Sequence, residues 1–121
     1  MERKEDRRVT MTKRMLKDAF IEMLKETDIY HISVRELCQR ADVNRTTFYK
    51  YYANQFDLLD DMEKDLLNMI EKTIEEDEEK NGGTIEGLLV FFEREREFIR
   101  LLINSNVGTE FPKRLFSMTI V

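Results

Sequence analysis

Residues 34–59 read VRELCQRADVNRTTFYKYYANQFDLL, and this stretch decides the fold. Ser33, just ahead of it, stands three residues before Glu36, the spacing of a capping box that satisfies the first free N–H groups of a helix. Val34, Leu37, Cys38 and Ala41 then put an apolar face on a short helix that ends near Arg40. Asp42 follows as a turn residue, because Asp tolerates left-handed backbone better than most non-glycine residues. Asn44 is a good N-cap for the next helix. Val43 before it and Phe48 at the fourth helical position make the arrangement of a hydrophobic staple. That helix ends near Tyr51 or Tyr52, and Asn54, with Asp57 three residues on, caps another.

Upstream, Met15, Leu16, Ala19, Phe20, Met23 and Leu24 recur at helical spacing and predict a first amphipathic helix over residues 12–25. Thr27-Asp28 and Ile29-Tyr30-His31 break its pattern. Downstream, Leu58, Leu59, Met62, Leu66, Met69, Ile70 and Ile74 form the stripe of a long fourth helix. The acidic run at 75–79, then Asn81-Gly82-Gly83, ends it in an exposed loop. Beyond, Ile85, Leu88, Leu89, Phe91 and Phe92 precede a charged EREREF stretch, and Phe98, Ile99, Leu101, Leu102 and Ile103 follow it. Two helices or one kinked helix fit this pattern, with the apolar cluster at 88–103 read as bundle core rather than effector pocket. A further loop at Asn104-Ser105-Asn106 and Gly108, then an apolar piece from Phe111-Pro112 to Met118, completes the chain. The fold class is all-α.

The 121 residues suffice for one domain, or a small domain and part of a second. A single cysteine, Cys38, excludes an internal disulfide framework and a thiol-pair zinc site, and a reducing cytoplasm follows as the expected location. Cys38 itself reads as a small buried hydrophobe. His31 has no Cys or His partner nearby, so it reads as a surface or loop-packing residue rather than a metal ligand. No apolar run suits a signal or a membrane span. There is no nucleophile–base pair, metal set or phosphate loop, which argues against an enzyme and against a cofactor.

The net charge of −5 is unevenly distributed. Residues 1–55 hold 12 Lys/Arg against 9 Asp/Glu, while residues 56–121 hold 8 against 16, so only the first segment favours phosphates. Arg3, Lys4, Arg7 and Arg8 are interleaved with Glu2, Glu5 and Asp6 and read as a disordered, weakly contacting tail. Two short helices joined at Ala41-Asp42-Val43 have the length and capping of a helix-turn-helix, whose second helix enters the major groove. In that helix Phe48 is the one large apolar residue, so most of its surface is expected to stay outside the core. Arg and Thr there can read base edges, and Lys and Tyr suit phosphate oxygens.

The stretch at 34–59 resembles the helix 2 to helix 4 signature of TetR-like bacterial transcriptional regulators, and the likeness extends over residues 10–60. The resemblance implies a three-helix DNA-binding head at 1–55 and a partial, truncated helical regulatory and dimerisation domain at 56–121. It implies that Arg35 touches phosphate and that Arg45, Thr46, Thr47, Tyr49, Lys50 and Tyr51 form the recognition surface, with Phe48 in the core. Ser33, Asn44 and Gln55, at the openings of helices 2, 3 and 4, complete the expected DNA-binding set. The family usually carries Gly where this chain has Asp42, and Lys where it has Gln55; Gln55 can still donate to phosphate, without charge assistance. The implied function is repression by occupying a palindromic operator in double-stranded DNA as a homodimer, relieved by an effector of unspecified small-molecule or protein nature. The alternative is a protein-interaction module or coactivator on the same fold, whose regulatory domain binds a protein partner.

Overall fold

A computed structural model describes residues 4–81 and 85–105, and every regular element among them is helical. Their order is α1 (Lys4–Glu26), a 3₁₀ turn at Ile29–His31, α2 (Val34–Ala41), α3 (Arg45–Tyr51), α4 (Gln55–Asn81), α5 (Glu86–Arg94) and α6 (Arg96–Ser105). The Gly82-Gly83 pair and the apolar piece from Phe111 to Met118 lie outside the described residues. The chain divides into two compact units within α4, between Leu58 and Leu59.

The first unit is built on α1, which packs against α2. Leu16, Phe20 and Met23 on its inner face are almost wholly buried, as the apolar spacing requires. Each such side chain contributes about 1.5–3 kcal/mol when removed from water. The helix begins eight residues earlier than its stripe predicts, so residues from Lys4 onward are helix rather than disordered tail. The reason is propensity rather than amphipathicity: Lys, Glu and Arg are strong helix formers, and no Gly or Pro interrupts residues 4–26. Thr10 adds a hydroxyl bond back to the Asp6 carbonyl at 2.9 Å. Lys4, Arg7 and Arg8 therefore stand exposed on a regular helix surface.

After α1 the chain does not simply loop. Asp28 accepts from the Tyr30 N–H at 2.9 Å and caps the 3₁₀ turn, which buries Ile29 while Ile32 beyond it is buried too. Tyr30 stays exposed and packs its ring 5.4 Å from that of Phe56 at the start of α4. Cys38 is buried, consistent with a small hydrophobe, and burial pushes its thiol up despite the opposing charge of Arg45.

In the second unit the acidic run at 75–79 continues α4 rather than ending it. Glutamates are good helix formers and, among Glu75, Glu76 and Glu79, all are exposed to water, so nothing forces an end there. The stretch at 85–105 forms two helices, separated at Glu95, whose backbone (φ −99°, ψ 15°) leaves the helical well. Phe91 and Leu102 are buried, but Leu89, Val90 and Ile103 are exposed, so the apolar cluster at 88–103 is only partly core.

Candidate nucleic-acid interface

The interface is assembled from caps. Ser33 Oγ accepts from the Glu36 N–H at 3.1 Å and starts α2, while the Glu36 carboxylate turns to Arg40 at 3.7 Å. At the other end Val43 N–H bonds Cys38 O at 3.0 Å and Asp42 N–H bonds Gln39 O at 3.3 Å, the paired reverse bonds of a Schellman ending. That ending requires a left-handed residue, and Asp42 supplies it at φ 57°, ψ 44°. Asn44 Oδ1 then accepts from the Thr46 N–H at 2.8 Å and opens α3 three residues after α2 closes. α2 and α3 pack on each other through this tight turn.

Burial divides α3 as the residue types suggest. Phe48 is fully buried, edge-on to Tyr49 at 5.3 Å and tilted against Tyr52 at 5.6 Å. Arg45, Thr46, Tyr49 and Lys50 are exposed, Tyr49 at 56%, and Thr47 and Tyr51 are half-buried. Arg35 and Arg45 line one shallow depression with Asp42 and Asn44, which brings the arginines at the openings of both helices onto the same side. Ser33 and Asn44 spend an oxygen on capping; the Ser33 O–H and the Asn44 amide N–H groups remain as donors for an outside acceptor.

Gln55 departs from a freely extended donor. It is half-buried, and its Nε2 donates to the Ile29 carbonyl at 3.4 Å, which ties the opening of α4 to the 3₁₀ turn. Asn54 and Asp57 cap α4 reciprocally: Asn54 Oδ1 accepts from the Asp57 N–H at 2.9 Å and Asp57 Oδ2 from the Ala53 N–H at 3.0 Å.

Lys13 of α1 belongs to this surface, and no motif in the sequence singles it out. Its Nζ lies 5.4 Å from the centre of the Tyr51 ring and 5.8 Å from that of Tyr52, inside cation–π range. No local signal connects residues 38 and 39 positions apart; the pairing is a product of packing. Arg40, by contrast, is exposed but committed, with Glu26 at 2.7 Å and Glu36 at 3.7 Å. Among the described residues no group of three or more His, Cys, Asp or Glu could hold a metal ion, and no helix is long and apolar enough to cross a membrane.

In an alignment 114 residues long that covers 88% of the chain, it is 25% identical to an uncharacterized HTH-type transcriptional regulator, YxbF, of Bacillus subtilis (strain 168). The matched stretch spans 30% of that relative. No protein-family model matches the chain, and no solved structure matches it.

Proposed function

We propose that the first unit binds duplex DNA by setting α3 in the major groove, as the DNA-binding head of a bacterial transcriptional regulator of the TetR-like kind. The observation that carries this reading is the division of α3: Phe48 anchors it while Arg45, Thr46, Tyr49 and Lys50 face outward. A seven-residue helix capped at both ends, with four of its seven side chains exposed, presents those side chains to something, and they suit a base edge and a phosphate. The name of the Bacillus relative supports the same reading.

In this account Arg45, Thr46 and Thr47 meet base edges. Arg35, Lys50, Tyr49 and Tyr51 meet phosphates, aided by Ser33 and Asn44 at the two helix openings. Residues 1–55 are the head and 56–121 the beginning of a regulatory and dimerisation part, acting as a repressor in the cytoplasm by occupying a palindromic operator. The exposed apolar side chains Ile85, Leu89 and Val90 favour a protein contact in that second part, which suits a homodimer.

The test is selection of tight binders from random-sequence duplex, with affinity measured over a salt series and molar mass on the same sample. Enrichment of one motif supports the reading. Arg45→Ala then relaxes preference at one base pair, a loss of about 1–3 kcal/mol there, if the guanidinium is bidentate to guanine. Absence of salt-dependent binding refutes it and leaves the protein-interaction module.

A further inference from the structure

Resting on that DNA-binding reading, we propose that Lys13 of α1 is a DNA-backbone contact, with its ammonium held at the end of the recognition helix by the rings of Tyr51 and Tyr52.

Three observations carry this. First, the ammonium sits over two aromatic faces, 5.4 and 5.8 Å from their centres, and a ring attracts a cation without neutralising it. The full positive charge stays available to an anion, whereas the guanidinium of Arg40 on α2 is already spent on two carboxylates. Second, Lys13 is half-buried and Tyr52 is 4% exposed, so the lysine stem lies against a fixed aromatic surface. A lysine ordered before binding forfeits less rotamer entropy on meeting its phosphate than one extended into water. Third, Tyr51 is the last residue of α3 and directly follows Lys50, so a cation beside its ring adds a donor at the same helix end that carries the Lys50 ammonium and the Tyr51 hydroxyl.

Lys13 also fixes geometry. It joins α1, the long helix of the unit, to the C-terminal end of α3, so the helix facing DNA is held from the core side by Phe48 and from its end by the cation.

The full chain is titrated onto a random-sequence duplex over a salt series, as wild type, Lys13→Met, Lys13→Arg and Tyr51→Phe, with thermal melting of each. Lys13→Met keeps the stem on the rings and is expected to melt as wild type while its salt slope falls by about one unit, equally on every sequence. Lys13→Arg keeps charge and cation–π contact and retains the slope. Tyr51→Phe keeps the ring but loses the hydroxyl, and weakens binding with the slope unchanged.

A Lys13→Met slope equal to wild type overturns the proposal; if affinity has fallen nonetheless, Lys13 only positions Tyr51. If Lys13→Met melts early, Lys13→Arg decides: restored melting with a restored slope supports phosphate contact, and restored melting with an altered slope rejects it. Wild-type protein without salt-dependent binding overturns the DNA reading and this inference together, a result distinct from normal wild-type binding with an unaffected variant.

Discussion

The Arg40 guanidinium lies 2.7 Å from the Glu26 carboxylate, joining the last turn of α2 to the last residue of α1 across 14 positions of sequence. The hydrogen bond from Arg40 holds the Glu26 carboxyl below its ordinary value of 4.5, outweighing the opposite effect of burial. Asp28 shifts the same way, chiefly through its 2.7 Å contact with His31.

These depressed carboxyls set the direction of the pH dependence. The folded state binds their protons more weakly than the unfolded chain, so their stabilisation is present above the unfolded values and is lost as pH falls through the folded ones. Urea midpoints are expected to drop below about pH 4, and added salt to shrink the effect because both pairs are exposed. Glu26→Gln should show a smaller acid-induced drop than wild type; identical drops would remove Glu26 from the cause.

Asp42 holds the left-handed conformation that the turn between α2 and α3 needs, and it is the one described non-glycine residue with positive φ. A Cβ in that region is a steric cost that glycine avoids. Asp42→Gly is expected to raise unfolding free energy by about 0.5–1 kcal/mol, and Asp42→Val, which adds β-branching, to lower it by more than about 1 kcal/mol. Chemical denaturation of the two variants checks this; a destabilising glycine would mean that the aspartate side chain stabilises the turn by more than its strain costs.

Gln55 is held to the Ile29 carbonyl by a long bond of 3.4 Å, which a lysine amine can replace or abandon. Gln55→Lys is expected to tighten binding to every duplex alike and to steepen the salt slope by about one unit, with a small helix-dipole cost of a few tenths of a kcal/mol at the opening of α4. Titration over a salt series measures both. An unchanged slope would show that position 55 faces the protein and not the phosphate.

Much of the first unit was legible because its determinants are local. Ser33, Asn44 and Asn54 act within three residues of themselves, and Asp42 needs only its own dihedral angles, so each cap and turn is written next to the helix it delimits. The early start of α1 and the helical acidic run were missed for one shared reason. Both segments are polar around their circumference, and a search for apolar periodicity is blind to helices held by propensity. Ile29 and Ile32 escaped similarly, since a single 3₁₀ turn is too short to show a period.

By itself the sequence determined an all-helical chain, the two short capped helices with their left-handed turn, and the outward set from Arg45 to Lys50 around a buried Phe48. These follow from bonds and sterics that reach no more than about one helical turn. Only the tertiary structure decided which charges stay free. Arg40 is neutralised by Glu26, the Gln55 amide is drawn to Ile29, and Lys13 is laid across Tyr51 and Tyr52. Each of those pairings closes a loop of between 14 and 39 residues, and contacts at that range exist only after packing has brought the helices together.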